Sequence, residues 1–291
     1  MKIIDAHHHL WNTRVLHYEL FDSVPALRRP YLARDYENVA AANRVESSIC
    51  VEAASAGTDG WKETLWLLDE SRRAPVVAGI TAWAPLEQPG LDSYLERLRH
   101  TAGARVAAVR RSFEFEPDEF PASEEVIAGA RVLARFGYKC ELVLFERSLQ
   151  SAQALIQACP ETEFILDHAG KPHIREGVDQ PWRRNILAIA RLPNVVCKIS
   201  GLSTEADGEN WRKEQLRPYI DHVLECFGWD RVLFGSDWPV CNLARGFEPW
   251  LEALMWATAW ASEDGRRKLF SENAVRVFGL SKTEAQRAEQ R

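Results

Sequence analysis

Residues 139–168, KCELVLFERSLQSAQALIQACPETEFILDH, contain one complete strand–helix–strand unit. An apolar, strand-like run at 139–144 is followed by helical periodicity at 148–158 and by a second apolar run at 163–168. Strands that are apolar throughout are typical of sheets covered on both faces, and strand–helix alternation favours parallel pairing. This stretch therefore predicts a βαβ unit.

The same alternation recurs along the chain. Strand-like runs lie at 2–8, 47–53, 76–83, 106–113, 139–144, 163–168, 195–201 and 232–238. Helical periodicity lies at 61–73, 91–98, 123–134, 148–158, 182–191, 216–227, 248–261 and 266–278. Eight such units predict an α/β protein with a TIM-like (β/α)8 barrel, as one domain over 1–280; an open, doubly wound sheet is the alternative.

Two segments fall outside this alternation. The connection from residue 10 to residue 46 is long and rich in aromatic residues, and we expect it to lie over the mouth of the barrel. The last residues, 281–291 (SKTEAQRAEQR), have no apolar face. We expect them to form a charged C-terminal tail outside the barrel.

Composition excludes several classes of protein. The 291 residues include 36 basic and 42 acidic ones, and the resulting net charge of −6 argues against nucleic acid or an anionic membrane surface as a partner. An apolar share of 46% with 11 Trp excludes a disordered chain. No apolar run approaches the roughly 20 residues of a membrane helix. Asp5 and three histidines interrupt the N-terminal stretch that would be apolar in a signal peptide. Six cysteines without CxxC pairing predict free thiols in the cytoplasm.

The motif DAHHH (5–9) ends the first predicted strand. Because strand side chains alternate, His7 and His9 are expected on one face and His8 on the other. Two imidazoles two residues apart on a strand can converge on one metal ion or one substrate oxygen. The alternative is a fortuitous run of histidines.

Two further motifs place polar residues after predicted strands. In FILDHAGKP (164–172), His168 follows an apolar strand and Lys171 lies in the loop beyond it. In LFGSDWP (233–239), Asp237 ends the last strand, where a carboxylate can bind a metal or accept a proton from water. Barrel active sites lie at the carboxyl ends of the strands. The alternatives are a histidine or aspartate that caps the next helix.

Two cations lie in otherwise apolar strands, Arg110 at the end of the fourth and Lys198 on the seventh. A charge there is costly unless it is paired or faces water, so either residue binds substrate or forms an internal ion pair with Glu52 or Glu141. Glu52, at the end of the second strand, is itself a weaker substrate-binding candidate. Trp83, at the end of the third, forms either a wall of the site or part of the core.

Five motifs carry a family resemblance: DAHHHLW (5–11), VEAA (51–54), DHAGKP (167–172), CKISGLSTEA (197–206) and FGSDWPV (234–240). With them the sequence resembles the amidohydrolase superfamily (amidohydrolase-2 type), and within it the sugar-lactone hydrolases of the L-fuconolactonase and L-rhamnonolactonase group. The resemblance implies a distorted (β/α)8 barrel that opens a cyclic ester with water.

The resemblance also implies the roles of four residues, because His7, His9, His168 and Asp237 match the catalytic positions of the family. These four can hold one divalent ion such as Zn²⁺, although some relatives work without a metal. Relatives with two metals use a lysine on strand 4 and a histidine on strand 5, whereas this chain has Arg110 and no histidine there. The resemblance therefore does not imply a binuclear centre. His8 and Glu52 stand where lactonase relatives more often carry Gln.

The expected reaction is hydrolysis of a sugar lactone, with Asp237 as the base for water, His168 as a proton donor, and Arg110, Lys198, Glu52, Trp83 and Lys171 as the substrate-binding candidates. A metal-dependent, non-oxidative decarboxylase of the same superfamily is the alternative. A binding protein without catalysis is a third hypothesis, which the intact set of histidines and aspartate disfavours. The expected partner is a small-molecule lactone, and the chain is expected to be a monomer or a homodimer.

Overall fold

The strands of the computed structural model form a single parallel sheet in sequence order. The structure describes residues 1–53 and 59–280, so Ala54 of the VEAA motif and the predicted tail at 281–291 lie outside the described residues. The strands are β1 (Ile3–His9), β2 (Val45–Val51), β3 (Val77–Trp83), β4 (Val106–Ser112), β5 (Lys139–Val143), β6 (Phe164–Leu166), β7 (Val195–Ile199) and β8 (Val232–Phe234). A doubly wound sheet would reverse this order at a switch point, so that alternative is wrong.

The ring of strands closes between β1 and the segment that follows β8. The backbone N–H of Asp237 donates to the carbonyl of His7 (2.8 Å), and that of His9 donates to the carbonyl of Trp238 (2.6 Å). These bonds continue the parallel pairing around the circle. The predicted (β/α)8 barrel is therefore confirmed, and its closing seam lies beside the DAHHH motif.

Helices cover the outside of the barrel. They are α1 (Ala33–Ala42), α2 (Gly60–Arg73), α3 (Leu91–Ala102), α4 (Glu124–Phe136), α5 (Leu149–Ala158), α6 (Trp182–Ala190), α7 (Lys213–Phe227), α8 (Phe247–Ala257), α9 (Glu263–Arg267) and α10 (Asn273–Phe278), with a π-helical turn at Lys268–Glu272. Helix α4 shows how the local sequence sets the two ends of a helix. The Ser123 hydroxyl accepts from the N–H of Val126 at its start, and Gly137 ends it with a φ of 76°.

The structure departs from the sequence predictions at three places. Helix α1 lies within the connection at 10–46, for which no helix was predicted. Strand β8 ends at Phe234 and β6 at Leu166, so Asp237 and His168 lie in the turns beyond these strands. Arg110 is followed by two more residues of β4. The strand-like runs predicted at 163–168 and 232–238 extend over these two turns, whose residues are as buried as those of the strands.

The interior of the barrel changes from apolar to charged along the strands. Ala108 and Ile165 pack in an apolar layer that the side chain of Phe278 in α10 also joins. Arg110 stands two residues beyond Ala108 on β4 and faces the same way, because strand side chains alternate. Asp167, the first residue after β6, meets it there, with Oδ2 3.1 Å from Arg110 Nη1. The charged layer therefore lies at the carboxyl ends of the strands, directly below the candidate site.

Two smaller findings concern the chain as a whole. All six cysteines are free thiols, and five of them are buried. Within residues 1–53 and 59–280, no helix combines the length and the apolar character that crossing a membrane requires.

Candidate active site

Strand β1 presents His7 and His9 to the mouth of the barrel. Their Nε2 atoms lie 3.1 Å apart, and both side chains are buried. His8 points the other way, where its ring stacks on Tyr36 and its Nε2 lies 3.0 Å from the Ser48 hydroxyl. The structure therefore brings together the two histidines of the motif that were expected to act together.

His168 and Asp237 join this pair from two turns. Their φ angles are 52° and 58°, in the left-handed region that non-glycine residues rarely adopt. Asp237 Oδ1 lies 3.4 Å from His9 Nε2 and 3.8 Å from His7 Nε2, and the rings of His7 and His168 are 4.5 Å apart. Such strained conformations persist only where the surroundings fix them, and they concentrate at functional sites.

Asp237, His168 and His7 have pKa values shifted by their surroundings. Burial raises the pKa of Asp237, but the imidazoles of His168 and His9 and the ammonium of Lys171 together hold it below its ordinary value of 3.8. Burial lowers the pKa of His168 despite the nearby carboxylate of Asp237. Burial also lowers the pKa of His7 well below its ordinary 6.5, against the attraction of Asp167. At neutral pH Asp237 is therefore a carboxylate, and the imidazoles of His7 and His168 are neutral.

The two strand cations form ion pairs inside the barrel. Arg110 Nε lies 2.5 Å from Glu52 Oε1, and its Nη1 lies 3.1 Å from Asp167 Oδ2. Lys198 is fully buried and donates to Glu141. Of the alternatives drawn from the sequence, the geometry matches the internal ion pair for both cations. Lys198 does not reach the cavity, whereas Arg110 still forms part of its wall.

A cavity of about 90 Å³ opens beside His9, His168 and Asp237, whereas His7 is fully buried and is not among the described residues that line it. It is lined by His9, Trp11, Leu20, Phe21, Ala53, Arg110, Glu114, Val143, His168, Lys171, Asp237 and Val240. Lys171 pairs with Glu114 at its wall, and this pairing raises the pKa of Lys171 despite burial. Leu20 and Phe21 belong to the connection at 10–46, so part of that connection lies at the mouth.

The remaining substrate-binding candidates lie away from this cavity. Trp83 is not among the described residues that line it, because its ring packs against Gly60 of α2 and Tyr94 of α3. Trp83 is half-buried, so it lies between these two helices and not in the buried core. Glu52 is wholly buried behind the guanidinium of Arg110.

Sequence reasoning missed several residues of the site. Glu114 lies in a loop with three other acidic residues, Glu116, Asp118 and Glu119, and no local signal distinguishes it from them. Ser200, whose hydroxyl lies 2.9 Å from His168 Nδ1, and Asp167 follow or end apolar runs, where the cost of burying a polar group was a usable signal. Gly201 has a φ of 63°, and a Cβ there would lie 2.6 Å from His168 Nδ1.

The donor set fits a single divalent ion. Donor atoms of His7, His168 and Asp237 all lie within 4.8 Å of one another, and His9 Nε2 contacts two of these residues. Two nitrogens bound to one tetrahedral zinc ion lie about 3.3 Å apart. The observed separations of 3.1 and 3.4 Å around His9 agree with that value.

Comparison with known proteins assigns the family. The amidohydrolase family model matches residues 4–280. The chain belongs to the amidohydrolase family. This amidohydrolase is 32% identical to the L-fucono-1,5-lactonase of Burkholderia multivorans, over 95% of this chain and 96% of that protein. The resemblance stated from the motifs is thereby confirmed.

Solved structures agree with this assignment. An amidohydrolase from Burkholderia multivorans, crystallised with bound zinc, has a TM-score of 0.87 and 31% identity, over 97% of this chain and all of that chain (100%). A 2,6-dihydroxybenzoate decarboxylase from Rhizobium has a TM-score of 0.63 at 15% identity, over 96% of this chain and 99% of that one. The second likeness is one of fold alone.

Proposed function

We propose that this amidohydrolase hydrolyses a sugar lactone, an aldonolactone such as L-fucono- or L-rhamnono-lactone, to the sugar acid. The observation that carries the proposal is the convergence of three imidazoles and the Asp237 carboxylate beside one cavity. The 32% identity to a lactonase over nearly the whole chain supports the substrate class. The decarboxylase alternative rests on a likeness of fold, at 15% identity to the decarboxylase from Rhizobium.

Asp237 is the base in this proposal. Its pKa is held below 3.8, so it is a carboxylate at neutral pH and can take a proton from water as the water oxygen attacks the ester carbonyl. His7 and His9 lie next to it and face the developing charge on the carbonyl oxygen, where hydrogen-bond donors are most effective. As the bond between the carbonyl carbon and the ring oxygen breaks, protonated Asp237 or His168 gives a proton to that oxygen.

Lys171 and Glu114 are suited to bind the sugar hydroxyls, because a cation and a carboxylate at one wall offer both donors and acceptors. Arg110, in the wall of the cavity, is held in place by its ion pairs with Glu52 and Asp167. His7, His9, His168 and Asp237 would hold a divalent ion. When bound, such an ion supplies Lewis acidity to the carbonyl or lowers the pKa of water.

A pH-indicator assay over a panel of sugar lactones, with and without chelator, tests the proposal. We expect stoichiometric acid release from at least one aldonolactone, above the spontaneous rate. The comparison with chelator measures whether an ion is required. Release of CO2 from carboxylated aromatic compounds, with no acid release from any lactone, would establish the decarboxylase alternative instead.

A further inference from the structure

The outer face of helix α7 carries a stripe of charges that are sorted by sign. Four charged residues, each exposed or half-buried, follow one another at intervals of four: Lys213, Arg217, Asp221 and Glu225. Residues four apart form a continuous ridge along a helix. The α7 stripe is therefore positive over its first half and negative over its second, with its centre at position 219. Beside it, the exposed side chains of Arg212 and Glu214 offset each other.

The charges of the α7 stripe are weakly satisfied within one chain. Arg217 Nε lies 3.3 Å from Asp221 Oδ2, and a pair as exposed as this one (44% and 33%) contributes little to stability. Glu225 Oε2 lies 3.9 Å from His222 Nδ1. Burial lowers the pKa of His222 below 6.5, so this imidazole is neutral at pH 7 and leaves the charge of Glu225 in place. Both halves of the stripe thus keep their charge for a partner.

Tryptophans and grooves border the α7 stripe. A groove of about 520 Å³ lies between the stripe and Trp256 of α8, and one of about 360 Å³ lies between it and the pair Trp229 and Trp260. Of the eleven tryptophans, all of which the structure describes, only Trp260 is exposed, at 62%. Trp and Arg are enriched where proteins bind one another. The stripe and its grooves, here called the α7 face, therefore have the composition of an interface.

A second copy of the chain matches the order of the charges. A twofold axis that crosses α7 at position 219 sets the two helices antiparallel. Lys213 of each copy then meets Glu225 of the other, and Arg217 meets Asp221. Each pair occurs twice, because a twofold interface uses the same patch on both subunits. A parallel arrangement would set like charges against each other, so the charge order selects the antiparallel one.

The two ends of the α7 face also match under this axis. Trp260 lies beside the C-terminal half of α7, in one groove with Leu224 and Glu225. At the N-terminal end, a groove of about 280 Å³ is lined by Arg212 and Lys213 among others. The axis exchanges these ends, so the exposed indole of each copy meets the cationic groove of the other. Guanidinium and ammonium groups are attracted to the face of an indole ring.

We propose that two copies of this chain associate through their α7 faces as an isologous dimer. The inference concerns association alone and is independent of which ester the active site opens.

Charge reversal of each half of the stripe tests the proposal. Lys213→Glu/Arg217→Glu makes the stripe wholly negative, and Asp221→Lys/Glu225→Lys makes it wholly positive. We expect sedimentation velocity to show a dimer for the parent and a monomer for each variant alone. An equimolar mixture of the two variants should form a heterodimer, because all four pairs across the axis are then of opposite sign.

The matched control is Arg131→Glu/Arg135→Glu, which reverses two exposed charges four residues apart on α4. It should remain a dimer. A parent that stays monomeric at the highest concentration measured would overturn the second copy as the occupant of the face. A dimer that persists in both stripe variants, or a mixture of them that stays monomeric, would overturn the arrangement about position 219.

Trp260→Ala provides a measurement that needs no charge reversal. We expect it to raise the Kd of the dimer by about 10- to 30-fold, as truncation of a tryptophan buried at an interface does. Thermal unfolding checks that each variant is folded. Should a charge variant not fold, Trp260→Ala decides, and an unchanged Kd would contradict the proposal.

Discussion

Asp5 binds Ser236 across the seam of the barrel through both of its carboxylate oxygens. Oδ1 accepts the backbone N–H of Ser236 (2.8 Å), and Oδ2 accepts its hydroxyl (2.6 Å). The same hydroxyl oxygen accepts the N–H of Trp238 (3.0 Å). Asp237 lies between these two residues with a φ of 58°. A carboxylate on β1 therefore fixes the turn that carries the proposed base.

Ser236→Ala removes the hydroxyl that joins Asp5 to Trp238. We expect the free energy of unfolding to fall by about 1–3 kcal/mol, since buried partners lose hydrogen bonds. We expect kcat to fall more than KM rises, because the turn that positions Asp237 loosens. Chemical denaturation and lactone kinetics measure the two effects. Ser203→Ala is the matched control, since the Ser203 hydroxyl is buried without a hydrogen-bond partner in the described part of the chain. Equal kcat values for the two variants would refute the coupling.

Asp237→Asn replaces the proposed base with an amide that cannot take a proton from water. We expect kcat on the lactone to fall by about 10²- to 10⁴-fold with little change in KM, the usual contribution of general base catalysis. Steady-state kinetics on the substrate that the lactone panel identifies provide the measurement, and thermal unfolding checks that the variant is folded. A kcat near that of the parent would rule out Asp237 as the base.

Gly201→Ala introduces a methyl group into the site. The new Cβ would lie 2.6 Å from His168 Nδ1 and 3.2 Å from Asp237 Oδ2, so one of these groups must move. We expect a large loss of kcat. Gly137→Ala is the matched control, because Gly137 also has a positive φ (76°) but has no atom within 4 Å of the added Cβ. Both variants carry the strain of a left-handed alanine, and only Gly201→Ala should lose activity beyond what its stability explains.

Arg110→Met leaves the carboxylates of Glu52 and Asp167 without the guanidinium between them. We expect a loss of about 3–5 kcal/mol in the free energy of unfolding, the cost of breaking a buried ion pair from one side. Arg110→Met/Glu52→Gln should recover part of that loss, and urea denaturation measures both. If Arg110 serves only to hold Glu52 and Asp167 in place, the KM of the double variant stays close to that of the parent. A raised KM in a stable double variant would assign Arg110 to substrate binding.

Glu114→Gln tests the ion pair with Lys171 through its pH dependence. The Lys171 ammonium outweighs burial and holds the pKa of Glu114 below its ordinary 4.5. The stability this gives is complete above pH 4.5 and is lost as the pH falls through the lower pKa of the folded state. We expect Glu114→Gln to be less stable than the parent by about 1–2 kcal/mol at pH 7, between the values for exposed and buried pairs.

The difference in the free energy of unfolding between Glu114→Gln and the parent should shrink as the pH falls below 4.5, and urea denaturation at a series of pH values measures it. Asp118→Asn is the control, because Asp118 pairs with Arg147 on the surface, where both side chains are about half exposed. It should change stability little at any pH. A Glu114→Gln deficit that persists unchanged at low pH would contradict an ionic origin.

The alternation of strands and helices could be predicted because its periodicity is local. Helix α1 escaped prediction because the face it buries is small and mixed, consisting of Ala33, Tyr36 and Ala40. His7 and His9 followed from the alternation of strand side chains. The conformation of the turn at Asp237 could not be predicted in this way, because it depends on hydrogen bonds to Asp5, which is far away in the sequence.

The ion-pair partners of the buried charges also could not be predicted from the sequence. Arg110 stands opposite Glu141 in the pairing of β4 with β5, yet its guanidinium reaches Glu52 and Asp167 instead. Strand register fixes which backbones are neighbours. The length and direction of a long side chain inside the barrel then decide the ion pair, and no spacing rule expresses that choice.

The backbone bond from Asp237 to the carbonyl of His7 has a consequence for how the molecule is made. Because β1 is synthesised before β8, the histidines of β1 can meet the Asp237 carboxylate only after the turn beyond β8 has been made. If Asp237 is the base, as proposed, a nascent chain has no activity until that turn has left the ribosome. Under the same proposal, two fragments divided between β7 and β8 would each be inactive, and any turnover by their mixture would show that they had reassembled.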